Sequence, residues 1–427
     1  MRVHALSPLR TPAKIAGAVT VLMLLCADWA SGRASAAERY VDKSGSPQCS
    51  DSPAGGREAQ PWCTINYAAR RAAPGDIVFI KAGIYREDVY IDRKSGGPKY
   101  ITFQNYPGHS PVISGNGIDS GRNKIINSSF IRVIGITITN FQQGFFVESS
   151  DNIVLEKLVV HNIGQEGIHI KTNSGFVTLQ DSIVHDVGKG PYNGEGVYIG
   201  TSSSQQPVSP PYDNTHDVLL KGNKIYKAKE ECIEAKEGTY NVTIDGNEMW
   251  ECLLSSSITN PNWGAIELME HRRYYNANPN HIIKNNIIRT VKTGIGLHTG
   301  AAVFNNVIYG QAGSYRGISI DNPDSDNYPR LIYHNTIDLP SSRAVVSASA
   351  TAPDVRNNIG PSSATNIAVQ QGFFVNQAAG DYHLVRGSAP IGLGVNLGGA
   401  VPEDIQGVSR SNAVAPDLGA YEFDASP

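Results

Sequence analysis

The chain has 427 residues, of which 40% are apolar, 18% charged and 8% aromatic, with 43 Gly and 24 Pro. This mixture is too polar for a polytopic membrane protein and too rich in apolar residues for a disordered chain. With 36 basic and 39 acidic residues, a net charge of −3, non-specific nucleic-acid binding is disfavoured.

At the start of the chain Arg2, Arg10 and Lys14 precede the apolar run 15–26, and Ala34-Ser35-Ala36 offers a small-residue cleavage site. Residues 1–36 are therefore expected to be a secretory signal peptide, with a lone membrane anchor as the alternative. Taking away its bases (Arg2, Arg10, Lys14, Arg33) and its acid Asp28 leaves 32 basic and 38 acidic residues, a net −6. No later stretch is long and apolar enough to span a bilayer. The expected location is secreted, extracellular or periplasmic. Cys49, Cys63, Cys232 and Cys252 then form an even set that suits an oxidising compartment. Of three pairings, Cys49–Cys63 with Cys232–Cys252 joins the partners closest in sequence.

Residues 61–73 read as a short amphipathic helix that plugs one end of the fold, and strands follow at Asp76–Lys81 and Tyr100–Asn105. Beyond them a repeat takes over. Asparagines recur at Asn223, Asn247, Asn286, Asn306, Asn335 and Asn358, at intervals of 24, 39, 20, 29 and 23 residues, each just before a short apolar strand. A second strand recurs downstream, with apolar and polar residues alternating, as in Gly167-Ile168-His169-Ile170, Gly196-Val197-Tyr198-Ile199 and Ala265-Ile266-Glu267-Leu268. A period of two marks strands with one face inside and one outside. Units this small cannot bury an apolar face alone, but they can stack. The repeated Asn fits stacking, since Asn tolerates left-handed turns and its amide can bond to the same Asn one coil away. The expected fold is all-β, a right-handed parallel β-helix, as one domain over 37–427: an N-terminal cap over 37–125, coils over 126–360 and a C-terminal cap over 361–427. An antiparallel sandwich is the alternative.

Stacking turns sequence register into columns, with equivalent residues on successive coils ~4.8 Å apart. The central outward position of the second strand reads Phe146, His169, Tyr198, Glu234, Glu267, Gly296 and Ser319. Two residues on it reads Glu148, Lys171, Gly200, Lys236, Met269, His298 and Asp321; the position before the strand includes Glu166, Glu195 and Glu231. Three stacked acids are costly unless a cation, a proton or a base compensates, so Ca²⁺ is the expected cofactor at Glu166, Glu195 and Glu231. A solvated turn with the acids pointing apart is the other reading. Insertions at Thr201–His216, Leu253–Trp263 and Glu270–Pro279 fall beside these columns, where loops wall a groove. They carry Trp263, Tyr274 and Tyr275 for stacking on sugar rings, with Arg272 and Arg273 to hold carboxylates, as an acidic glycan would require; loop packing is the plainer role. Glu234 and Glu267, neighbours in one column about 5 Å apart, would also suit a retaining glycoside hydrolase. A third function is glycan binding without catalysis. A further column holds His161, His185, Tyr226, Trp250 and Tyr309, a ladder of rings read as structural.

The segments Arg39-Tyr40-Val41-Asp42, Pro74-Gly75-Asp76-Ile77-Val78, Ala82-Gly83-Ile84-Tyr85-Arg86-Glu87 and Ile101-Thr102-Phe103-Gln104-Asn105-Tyr106-Pro107-Gly108 resemble the N-terminal part of secreted β-helix polysaccharide lyases. Asp381-Tyr382-His383-Leu384 and Pro416-Asp417-Leu418-Gly419-Ala420-Tyr421-Glu422 resemble the tail common on such proteins. The segment Glu231-Cys232-Ile233-Glu234-Ala235-Lys236 is similar to the Glu…Lys strand of chondroitinase B-like and alginate lyases. That resemblance implies Lys236 as the base and Glu231 as a calcium ligand. The second calcium-binding Glu of the pattern falls on Lys229, and its Arg falls near Met269 or Glu270, which leaves Arg272 or Arg273. Against pectate lyases of family nine, the acidic cluster corresponds to Gln165, Glu166 and His169, with Tyr198 where their Lys stands. The resulting expectation is β-elimination of an acidic polysaccharide by a monomer without nucleic-acid or membrane partners. Lys236 is the base, Tyr198 or His169 the acid, and Lys171, Arg272 and Arg273 hold the substrate.

Overall fold

Short β-branched strands separated by Asn, Gly and Ser turns wind into three long parallel sheets, of twelve, ten and ten strands. The computed structural model describes residues 36–207, 211–271, 278–290, 292–310, 315–322, 326–410 and 415–424. Each coil gives one strand to each sheet in turn, so strands adjacent in a sheet come from successive coils, and the molecule is a right-handed parallel β-helix. Every second side chain points inward and stacks on its equivalent in the next coil. Leu155, Leu179, Leu220, Ile244 and Ile283 form one such file in direct register, all fully buried. At about 1.5–3 kcal/mol for each buried side chain of this size, these files are the main stabilising contribution.

The repeated Asn is the second organising element. Asn223, Asn247, Asn286, Asn306, Asn335 and Asn358 each donate backbone N–H and Nδ2 to the Oδ1 of the corresponding residue one coil on, over 2.8–3.0 Å, and Asn366 ends the ladder. All seven lie inside, so the ladder satisfies turn groups that water cannot reach. At another corner Ser128 and Ser150 donate their N–H to Ser150 Oγ and Ser174 Oγ in the same way, a ladder the sequence reading does not contain.

The end-plug helix covers Ile65–Arg71, shorter than the expected 61–73, because Thr64 caps it by accepting the Tyr67 N–H. Ile65, Ala68 and Ala69 face the core. The next strands run Ile77–Ile80 and Ile101–Asn105. At the far end an antiparallel pair, Phe374–Asn376 with Asp381–Leu384, packs with Leu418, Ala420 and Tyr421 beneath the last coils. Disulfides join Cys49 to Cys63 and Cys232 to Cys252. His161, His185, Tyr226 and Trp250 stack with nearly parallel rings, at centroid distances of 5.1, 4.8 and 4.3 Å, but Arg289 stands between Trp250 and Tyr309 in the column. Among the described residues no helix is long and apolar enough to cross a membrane.

Candidate functional site

One ten-stranded sheet carries the site. Its relevant strands are β1 (Phe145–Glu148), β2 (Ile168–Lys171), β3 (Val197–Ile199), β4 (Ile233–Ala235), β5 (Gly264–Leu268), β6 (Thr293–Leu297) and β7 (Ile318–Ile320). Their pairing sets Phe146, His169, Tyr198, Glu234, Glu267, Gly296 and Ser319 in one column, coil by coil. These side chains point away from the core, yet Phe146, His169, Tyr198, Glu234 and Glu267 are each no more than 6% exposed. Insertions flank them. From the loop 253–263, the Pro261 carbonyl accepts from Thr293 Oγ1 at 2.7 Å, and Asn262 Oδ1 accepts from Ser319 Oγ at 3.0 Å and from Arg316. From the loop 201–216, Asp213 accepts the N–H groups of Thr172 and Asn173, both at 2.8 Å.

Glu195 and Glu231 stand two residues before β3 and β4, and Glu234 is the centre of β4. One carboxylate oxygen from each lies within 4.8 Å of the other two, and all three residues are buried. Burial and then mutual repulsion push the Glu195 and Glu231 carboxyls well above the usual range; burial also raises Glu234, against the pull of Lys236. Lys236 Nζ donates to Glu234 Oε1 at 2.5 Å and sits 5.4 Å from the Tyr198 ring centroid. Burial works against its charge, but Glu234, Tyr198 and Glu237 outweigh burial and hold the ammonium above its ordinary value. Burial likewise raises the Tyr198 phenol, with Lys236 opposing. Among the described residues the Glu195 carboxylate takes one N–H, from Gly194 at 3.1 Å. Three converging carboxylates with so few donors are a hard, all-oxygen set that fits a divalent cation such as Ca²⁺.

The expected acid set was Glu166, Glu195 and Glu231; in the structure Glu234 takes the place of Glu166. Glu166 is held apart by Gln143 Nε2 and Asn193 Nδ2, each at 3.2 Å. His169 does not have the setting of a proton donor. Its ring is packed between Phe146 and Tyr198, at 4.8 and 4.5 Å, and Nε2 bonds the Gly200 carbonyl at 2.9 Å. Burial, then Lys171, drives its pKa down to about 3, so it stays neutral at physiological pH. Glu267 and Glu234 are neighbours in register but are drawn to different partners: Glu267 accepts the Gly264 N–H at 2.6 Å and a short contact from His298 Nε2, while Glu234 holds Lys236. The Glu267–His298 pair, 31 residues apart, is the feature the sequence reading missed; its only signal is that the two occupy diagonal column positions. Glu267 outweighs burial and raises the His298 imidazole, with Asp321 Oδ2 3.9 Å from Nδ1. Lys171 pairs with Glu148, and Trp263 stands 38% exposed just before β5. Arg272, Arg273, Tyr274 and Tyr275 lie outside the described residues.

Residues 40–207 match the family model described as Pel9A-like, right handed beta helix region. The uncharacterized protein YwoF of Bacillus subtilis (strain 168) is 26% identical over 147 residues, which cover 33% of this chain and 28% of that protein's length. Among solved structures, pectate lyase Pel9A superposes with a TM-score of 0.60 at 14% identity, covering 92% of this chain and 98% of its own. Alginate lyase from Paenibacillus sp. str. FPU-7 gives 0.55 at 16%, covering 71% and 96%. A lacto-N-biosidase of family GH136 from Eubacterium ramulus gives 0.51 at 12%, covering 78% and 67%. Identities this low show a shared fold, which lyases and a hydrolase both use.

Proposed function

We propose that the protein is a secreted, polysaccharide lyase-like enzyme that cleaves an acidic, uronate-containing polysaccharide by β-elimination. The observation that carries this reading is Lys236, paired with Glu234, itself one of three converging buried carboxylates. Elimination needs a neutralised uronate carboxylate, a base for the proton α to it and an acid for the departing oxygen. Glu195, Glu231 and Glu234 would hold Ca²⁺, whose charge supplies the neutralisation. Burial disfavours the charged ammonium, so a cation that offset the Glu234 charge would bring Lys236 closer to the free amine. Lys236 Nζ then takes the α proton, the C–O bond to the leaving sugar breaks as the C=C bond forms, and the Tyr198 hydroxyl gives its proton to the leaving oxygen. The Tyr198 phenol carries its proton at neutral pH and sits beside Lys236. His169 packs against the Tyr198 ring at 4.5 Å, and Glu267, paired with His298, stands beside Glu234 in register. Export is supported by the basic-then-apolar start of the chain and by two disulfides.

The test is a panel of polyuronates, alginate and polygalacturonate among them, incubated with the protein in calcium or in EGTA. Unsaturated ends absorbing in the near ultraviolet should accumulate in calcium and not in EGTA. Reducing ends without that absorbance would instead mark a hydrolase, and retention of polymer without cleavage a binding protein.

A further inference from the structure

On the same outward column as Glu234, but three coils toward the N-terminus, the chemistry inverts. Lys124 pairs in register with Phe146, and Arg122 precedes it by two residues. The Arg122 guanidinium carbon, Lys124 Nζ and Lys171 Nζ lie 5.6, 5.7 and 5.3 Å from the centroid of the Phe146 ring. Three cations therefore share one buried ring. Their single counter-ion within ion-pair distance, among the described residues, is Glu148, 2.8 Å from Lys124 and 3.6 Å from Lys171. Lys124, Lys171 and Glu148 side chains are only 17%, 23% and 12% exposed, so water screens their charges weakly. Arg122 makes no hydrogen bond or ion pair with a described residue, leaving its planar fork free for a carboxylate. Arg122, Lys124 and Lys171 therefore outnumber the one carboxylate paired with them. Like charges gathered in partial burial call for an anion, as the acidic cluster three coils away calls for a cation.

We infer that Arg122, Lys124 and Lys171 around Phe146 form an anion subsite that takes an acidic group of a polymeric glycan, three coils from Lys236. His169 and Tyr198 fill the two coils between, so the subsite and Glu234 are separated by three sheet spacings, ~14 Å along the sheet. A chain lying along the sheet axis, with one carboxylate on the cations, reaches the acidic cluster with a sugar further along. The inference rests on the elimination reading only for the uronate character of the polymer.

The measurement is affinity electrophoresis of the whole protein, in EGTA to suppress cleavage, through gels holding alginate, polygalacturonate or neutral dextran. The wild type should be retarded by the two polyuronates and not by dextran. The double variant R122Q/K124Q should lose affinity for the polyuronates about tenfold or more. Glu148→Gln, which frees Lys124 and Lys171 from their internal carboxylate, should bind several-fold tighter, and it tests the subsite even if the double variant does not fold. A folded R122Q/K124Q with unchanged affinity, a weaker-binding E148Q, or a wild type that neither polyuronate retards overturns the subsite. Calcium-dependent cleavage alongside an unaltered R122Q/K124Q affinity sinks the subsite and leaves the reaction standing. Polyuronate binding that follows the predicted order with no cleavage in calcium sinks the reaction and leaves the subsite standing.

Discussion

Replacing Glu231 by Gln should stabilise the protein in chelator and destabilise it, relative to wild type, in calcium. With oxygens of Glu195, Glu231 and Glu234 inside 4.8 Å of one another, each pair of full charges would repel by ~3 kcal/mol at an effective dielectric constant near 20. Lys236 offsets part of this at Glu234, and partial protonation relieves more, so Glu231→Gln should gain about 1–3 kcal/mol in EGTA at pH 8. That amounts to a few degrees in melting temperature. Wild type should gain about 4.1 kcal/mol when calcium is at a thousand times its dissociation constant. The variant, one ligand short, should gain little of that. Melting curves in EGTA and in calcium read both effects, and the order of the two proteins should reverse between them. A variant that melts below wild type in EGTA, or equal calcium increments for both, would refute the reasoning.

His169 is depressed from 6.5 to about 3, so it contributes stability that is present above pH 6.5 and is lost as pH falls below it, by about 1.4 kcal/mol per unit. His169→Phe leaves the Gly200 carbonyl without its donor and should be less stable than wild type at pH 7.5; urea denaturation should find that deficit smaller by ~2 kcal/mol at pH 5. Asn306 accepts from Asn286 and donates Nδ2 to Asn335 and to the Ile283 and Phe304 carbonyls, all away from water. Asn306→Ala should cost ~3 kcal/mol in chemical denaturation, since it strands buried groups on both neighbouring coils; a loss under 1 kcal/mol would mean the ladder relaxes around the gap. Removing the Cys232–Cys252 bridge, which closes a loop of 20 residues beside Glu231, in the variant C232A/C252A should lower stability by about 3 kcal/mol, read as the shift in denaturation midpoint against wild type.

The columns are legible in the sequence because sheet spacing leaves a stacked coil little freedom. Once Phe146, His169, Tyr198, Glu234 and Glu267 share a place in the period, they must be neighbours. The Asn ladder follows from the same geometry, while the disulfides Cys49–Cys63 and Cys232–Cys252 follow from the closeness of their partners in sequence. Side-chain direction does not. Register places the backbone of Glu166 beside Glu195, but amides from Gln143 and Asn193 draw its carboxylate aside, while Glu234 is already committed to the cluster through Lys236. Nor does the period show that a polar outward column is buried; loops such as 253–263 decide that by folding back over β5 to β7. His169 reads as a proton donor by residue type, and only its neighbours above and below reveal a packed, neutral ring.

The most direct test of the central claim is the mass of the products released from a defined uronate oligomer by wild type and by Lys236→Ala. Elimination adds no water, so wild-type fragments should sum to the mass of the parent oligomer, one fragment carrying the new double bond, and the variant should release none. Fragments that together weigh one water more than the parent, or undiminished cleavage by Lys236→Ala, would contradict the account.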